Sequence, residues 1–248
     1  MISTNTRKIE HSYALCYIDD AINGIQTPNL ELQAKNLVSV IPKLASSLGR
    51  RDEVPNQELA KQIAKAGDKK AVQELTENLL NKDKNIQSDC IKVLYEIGAR
   101  NPSLIAAYAR GFLDLIESKN NRLAWGAMTA LNAITLEKPK EISVALPKII
   151  ASANSGSVIT RDHAVGILIK LASIKQYSTK AFALLIKQLK TCPTNQLPMY
   201  AERALPVVNE KNKASFIKAL SSRLDELATS KRARLEKVLK KLAVSMGE

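Results

Sequence analysis

Apolar residues recur along this chain with a long and regular period. Five leucines stand 37, 37, 37 and 34 residues apart: Leu94, Leu131, Leu168, Leu205 and Leu239. The positions four before, one before and three after each leucine are also apolar or small. Spacings of three and four residues place side chains on one face of an α-helix. The pattern therefore predicts five amphipathic helices that bury the same face.

A second helical stretch precedes each of these helices, and polar turns separate the two. Helix pairs that repeat near 37 residues are typical of an α-solenoid, in which neighbouring pairs stack around one continuous core. We predict an all-α, right-handed superhelix in a single domain of residues 1–248. It comprises an N-terminal helix and about six helix pairs. Their approximate ranges are 9–25 for the helix and 28–67, 68–100, 101–137, 139–174, 178–210 and 212–243 for the pairs.

Prolines and capping residues mark several expected helix boundaries. Asp68 is predicted to cap a helix that starts at the following residue. Asn101 and Pro102 form a second start signal, since proline is favoured at the first helical position. Pro42 and Pro147 fall inside apolar helical patterns, where we expect them to bend the first helix of their pairs.

The repeat resembles the HEAT (armadillo-like) family. The resemblance lies in RDHAVGILIKLA and KRARLEKVLKKLA, where Arg161 and Arg232 each precede the key leucine by seven residues. HEAT units commonly carry arginine at that position. Gln87, Ala124 and Pro198 occupy it in the other repeats, so the match is partial. HEAT motifs specify a fold much better than they specify a function.

The resemblance also implies where a binding surface lies, because in HEAT-like solenoids the second helices line the concave groove. Trp125, the single tryptophan, precedes Leu131 by six residues, outside the core columns. Two alternatives stay open: Trp125 binds a partner or packs on the next helix, and Asp162 serves the groove or bridges adjacent repeats. The residues predicted to share the groove are Lys92, Trp125, Asp162, Lys170, Arg203, Lys237 and Lys241.

Composition contains little that indicates catalysis. The chain has two histidines and three widely spaced cysteines, and it contains no HExxH, GxSxG or P-loop motif. We therefore expect a protein that is not an enzyme and that uses no metal and no cofactor. The unpaired cysteines and the lack of an apolar leader or long apolar run favour a cytoplasmic protein without a membrane partner.

The net charge is +13, and residues 151–248 hold 17 basic against 7 acidic residues. This surplus suits an acidic partner, although a solvated surface explains it equally well. We expect a monomeric scaffold that holds a protein or peptide in the groove.

Nucleic-acid binding is the alternative, since the DNA alkylation-repair glycosylases are HEAT-like, basic and similar in size. They use tryptophans and an aspartate, whereas here Trp125 and Asp162 lie on successive repeats. An uninterrupted positive stripe along the groove would favour nucleic acid, and a mixed groove would favour protein.

Overall fold

In the computed structural model the chain divides into a unit of residues 1–39 and a unit of residues 40–248. The structure describes residues 39–244, which belong almost entirely to the second unit. Helices and turns make up this part, and no strand occurs in it. The predicted N-terminal helix at about 9–25 and the start of the first predicted pair lie outside the described residues.

The helices follow one another along the chain with short connections. Short 3-10 turns at Ile41–Lys43, Asn78–Leu80, Ala106–Tyr108, Leu205–Val207 and Leu224–Glu226 accompany them. The α-helices are α1 (Val54–Ala66), α2 (Lys69–Glu77), α3 (Lys84–Arg100), α4 (Pro102–Ile105), α5 (Ala109–Leu115), α6 (Asn121–Ile134), α7 (Pro139–Val144), α8 (Leu146–Ser155), α9 (Val158–Ala172), α10 (Ser178–Thr191), α11 (Leu197–Ala204), α12 (Lys213–Ser221) and α13 (Thr229–Val244).

The second helices of the repeats form one continuous layer. In order along the chain α1 packs on α3, α3 on α6, α6 on α9, α9 on α11 and α11 on α13. The first helices form the other layer, in which α2, α5, α8, α10 and α12 each contact the second helix of their own repeat. Each repeat thus buries its apolar face against its neighbours, as the period predicts for an all-α solenoid.

The core lies where the aligned columns place it. Cys90, Ala127, Ala164 and Ala201 stand four residues before the key leucines, and all four are fully buried. Their small side chains let consecutive second helices approach closely. Gly126 extends this close contact, since a Cβ added to it would lie 2.7 Å from Cγ1 of Ile91.

Prolines interrupt the helices more strongly than predicted. Instead of one bent helix, the segment around Pro147 forms α7 and α8, which are separated at Ala145. Pro42 lies in a 3-10 turn and not inside an α-helix. The predicted helix around Leu205 ends at Ala204, and Leu205 begins a 3-10 turn in which it is only half-buried. The residue after it is Pro206, which has no N–H to donate, so the hydrogen bonds of an α-helix cannot continue through this position.

Side chains at the turns explain the Asp68 start signal and one of the two HEAT-like arginines, whereas Asn101 makes no side-chain cap on the helix that begins at Pro102. Asp68 accepts a hydrogen bond from the backbone N–H of Ala71, which confirms the predicted cap. Arg161 donates to the carbonyls of Ala153 and Asn154, both at 3.3 Å, and so ties α9 to the end of α8. Gln87 makes a comparable bond of 2.7 Å to the carbonyl of Asn81 in its own repeat. Glutamine can therefore replace arginine at this position because both reach a backbone carbonyl of the preceding turn.

Candidate functional site

A cavity of about 450 Å³ lies across the second helices α3, α6 and α9. On each of these helices, the residues six before, two before and one or two after the key leucine fall on the same helix face, and this face lines the cavity. We call this the Trp125 cavity. Its chemically distinctive lining residues are Tyr95, Glu96, Trp125, Asn132, His163 and Lys170.

Trp125 and Tyr95 form the aromatic wall of this cavity. Their ring centroids lie 5.6 Å apart and the planes are tilted by 50°. This tilted arrangement is one that aromatic pairs favour. Trp125 is half-buried, so it packs on the preceding repeat and also presents surface to the cavity. Packing on a neighbouring helix and binding a partner, the two roles that the sequence left open for Trp125, are thus compatible in this side chain.

Asn132 occupies the centre of the polar wall. Its backbone carbonyl accepts a short hydrogen bond from Nζ of Lys170. Its Nδ2 lies 3.1 Å from Nδ1 of His163, which accepts this bond in the tautomer protonated on Nε2. The Oδ1 atom of Asn132 is buried and has no hydrogen-bond partner among the described residues. An unsatisfied buried acceptor costs about 1–3 kcal/mol, which a donor on a bound partner would recover.

Burial and neighbouring cations set the charge states beside Asn132. Burial lowers the pKa of His163 below its usual value, the Arg203 guanidinium lowers it further and Asp162 opposes the shift. His163 is therefore neutral at neutral pH. Burial also lowers the pKa of Lys170, and the charge of Arg203 adds to this effect.

Arg203 comes close to the cavity residues because of Gly166. A Cβ added to Gly166 would lie 2.8 Å from Oδ1 of Asn132 and 2.9 Å from Nη2 of Arg203. A larger residue would thus push both groups away from α9. Arg203 itself is exposed, and its Nη1 lies 3.4 Å from the backbone carbonyl of Asp162.

Asp162 joins two repeats. Its carboxylate accepts a hydrogen bond from the hydroxyl of Tyr200, a fully buried residue of α11. Burial raises the pKa of Tyr200, and the bond to Asp162 raises it further. Asp162 is not among the described residues that line the Trp125 cavity. Of the two roles that the sequence left open for Asp162, this geometry corresponds to the bridge between adjacent repeats and not to a groove residue.

The positive charge of Lys92 is balanced by neighbouring carboxylates. Its Nζ lies 2.8 Å from Oε2 of Glu53, 2.9 Å from Oε1 of Glu96 and 4.9 Å from the centre of the Tyr95 ring. Burial would lower the pKa of Lys92, but its hydrogen bonds, first of all to Glu53, outweigh burial and raise it. Glu96 also pairs with Arg100 at 2.6 Å. The positive stripe is therefore interrupted by carboxylates at this end.

Lys237 and Lys241 lie on α13 and are exposed. Close to them Glu202 pairs with Arg234 at 2.6 Å. The hydrogen bond from Arg234 lowers the pKa of Glu202, and the charge of Lys241 contributes. The structure thus brings Trp125 and Lys170 together in the cavity, with Arg203 near Asn132 and Lys170. It places Lys92 beside Tyr95 and leaves the two α13 lysines on a later repeat.

The sequence-based prediction missed four of the distinctive cavity residues, namely Tyr95, Glu96, Asn132 and His163. Tyr95 and Asn132 each follow a key leucine by one residue, and His163 precedes one by five. The column one residue after the leucine continues the stripe of Trp125 with helical spacing, so it is the pattern that could have identified Tyr95 and Asn132.

Other chemistry is sparse in the described part of the chain. Within residues 39–244 no group of three His, Cys, Asp or Glu side chains is placed to hold a metal ion. Cys90 and Cys192 are free and buried. Burial raises the pKa of the Cys90 thiol to about 12 and also raises that of Cys192. None of the helices in these residues has the length and apolarity needed to cross a membrane.

No family model and no curated protein matches the sequence. Solved structures do match. A designed armadillo repeat protein in complex with the peptide (KR)4 has a TM-score of 0.58 at 15% identity, over 82% of this chain and 100% of its own. The protein has an armadillo/HEAT-like α-solenoid fold. A second designed armadillo repeat protein matches with a TM-score of 0.53 at 16% identity, over 82% of this chain and 99% of its own. An engineered protein has the same TM-score at 22% identity, over 82% and 98% of the two chains.

Proposed function

We propose that the protein is a non-catalytic scaffold that binds a segment of a partner protein along the second helices, with the Trp125 cavity as its anchor. The observation that carries the proposal concerns Asn132, which lines the cavity together with Trp125 and Tyr95 and whose Oδ1 atom is buried without a partner in residues 39–244. An acceptor and an aromatic surface in one cavity suit a peptide, whose backbone N–H donates while its side chain packs on the rings.

The charge pattern favours a protein segment over nucleic acid. Nucleic-acid binding relies on cations that are free to neutralise phosphates. Lys92 is held by Glu53 and Glu96, and Lys170 donates to the carbonyl of Asn132. The resulting groove is mixed in sign at α3, α6 and α9, which is typical of surfaces that bind protein.

The fold comparison supports a peptide as the type of partner, because one designed protein of this fold was solved with the peptide (KR)4. A net charge of +13 makes a strongly basic peptide an unsuitable ligand for the present chain. We therefore expect a neutral or acidic segment that carries at least one apolar side chain for the Trp125 cavity.

Selection from a phage-displayed library of random peptides on the immobilised full chain tests the proposal. Selected peptides are then titrated by fluorescence anisotropy. Trp125→Ala should weaken binding by about 30-fold, since truncating a central aromatic anchor costs ~2 kcal/mol. Asn132→Ala should weaken it less, by about fivefold, for the loss of one hydrogen bond.

Val144→Ala is the matched control, because Val144 is an exposed apolar residue at the end of α7 and does not line the Trp125 cavity. Binding that is equal in Trp125→Ala and Val144→Ala would reject the cavity as the anchor. Micromolar binding of duplex DNA or RNA that falls steeply with salt, and that a Lys170/Arg203/Lys237 charge-reversal variant loses, would establish the nucleic-acid alternative instead.

A further inference from the structure

A second cavity, of about 600 Å³, lies beside the first. Its walls come from four places: the loop of residues 45–53, Asn56 in the first turn of α1, the first turns of α3, and Arg122 at the start of α6. Lys92 lines it as well, and the same side chain lies over Tyr95, which lines the Trp125 cavity. The two cavities are therefore neighbours along the second helices.

Most charges around this second cavity are already paired. Arg50 forms an ion pair with Asp52 at 2.8 Å, and Lys92 forms one with Glu53 at 2.8 Å. Asp89 is buried and has no cation as ion-pair partner within residues 39–244. Its two oxygens accept hydrogen bonds of 2.7 Å from the backbone N–H of Ser46 and 2.8 Å from the side chain of Asn56.

Two arginines are left over. Arg51 and Arg122 line the cavity, and their guanidinium groups have no ion-pair or hydrogen-bond partner within residues 39–244. Set against Asp89, they leave one net positive charge in the cavity. The hydroxyl of Ser46 points to the same ligand chemistry, because Oγ is buried and has no partner in the described part of the chain.

We propose that this cavity binds a phosphate monoester, held by Arg51, Arg122 and the hydroxyl of Ser46, in a wall that also contains Asn85. Guanidinium groups suit phosphate because their planar N–H donors can bind two oxygens at once. A tetrahedral dianion also accepts donors from several directions, which matches a cavity with available donors on separate walls. The ester is a phosphorylated side chain on the segment that occupies the Trp125 cavity, so its source depends on the proposed function, whereas the phosphate site does not.

NMR titration of the ¹⁵N-labelled full chain at constant ionic strength tests the site, with inorganic phosphate and with N-acetyl-phosphoserine methylamide as probes. Both probes should give saturable shifts in the amides of residues 45–53, Asn85 and Arg122. Arg51→Gln/Arg122→Gln should weaken both by at least about tenfold, as expected for removing charged hydrogen bonds. Arg110→Gln/Lys140→Gln removes the same charge elsewhere on the surface and should leave binding unchanged. All four positions are exposed, and circular dichroism verifies that both variants are folded.

Shifts that are absent, that do not saturate or that are equal in both double variants overturn the phosphate site. Binding of inorganic phosphate without binding of the phosphoserine probe overturns the phosphorylated side chain as its source. N-acetylglutamate methylamide bound as tightly as the phosphoserine probe would make the site one for carboxylates and also overturn the proposal. Trp125→Ala should keep its affinity for both phosphate probes. The titration therefore tests the phosphate site independently of the peptide selection, and failure of one proposal can be distinguished from failure of the other.

Discussion

Removing the hydroxyl of Tyr200 tests whether Asp162 joins α9 to α11. Tyr200→Phe keeps the buried ring and deletes one hydrogen bond to a charged acceptor. Such bonds contribute about 1.5–3 kcal/mol, and the half-buried carboxylate would lose its donor. We expect the free energy of unfolding to fall by about 2 kcal/mol, or the melting temperature to fall by about 4–8 °C for a chain of this size.

Urea denaturation followed by circular dichroism measures this loss, and a double-mutant cycle with Asp162→Asn isolates the pair. The cycle should give a coupling energy of about 1–2 kcal/mol, because the two groups are in direct contact. Tyr177→Phe is the matched control: Tyr177 is a half-buried tyrosine whose hydroxyl has no partner within residues 39–244. Its loss should stay within about 0.5 kcal/mol.

A loss of less than about 0.5 kcal/mol in Tyr200→Phe, or a coupling energy near zero, would show that this hydrogen bond does not join α9 to α11. A further outcome would reassign Asp162 to the groove. In that case Asp162→Asn would weaken the binding of a selected peptide by tenfold or more while leaving the melting temperature unchanged.

Three further outcomes follow from the packing and charge of the repeats. Gly126→Ala should destabilise the fold by about 1–3 kcal/mol, since its Cβ would lie 2.7 Å from Cγ1 of Ile91; an unchanged urea midpoint would contradict this. Arg223→Met should lower the free energy of unfolding by about 2–4 kcal/mol and speed amide exchange at the end of α10, because this buried guanidinium donates to two backbone carbonyls there. Burial and Arg203 lower the pKa of His163 in the folded state. Its contribution to stability is therefore complete above about pH 6.5 and is lost as pH falls through the lower folded-state pKa. The melting temperature of His163→Gln should accordingly fall less than that of the wild type between pH 8 and pH 5.5.

The residues of the cavity show what the helical spacing of the sequence predicts and what it does not. The spacing predicted which faces of α3, α6 and α9 are apolar, and the four small residues at Cys90 and its counterparts are indeed buried. It placed Trp125 on the neighbouring stripe, where the structure has it. It gave no indication that Lys92 is neutralised by Glu53, a residue 39 positions earlier. Ion pairs of this kind depend on side-chain reach between repeats, which a helical period does not specify.

The solenoid architecture was readable from the sequence because it rests on local rules. Helix formation depends on spacings of three and four residues, and helix stacking depends on a period near 37. Both spacings can be read directly along the sequence. The chemistry of the groove depends on which side chains from different repeats meet. The buried Oδ1 of Asn132, the bond from Tyr200 to Asp162 and the two arginines that share a cavity with Ser46 arise from contacts between repeats. Those contacts exist only once the helices are packed, so the tertiary structure alone decided them.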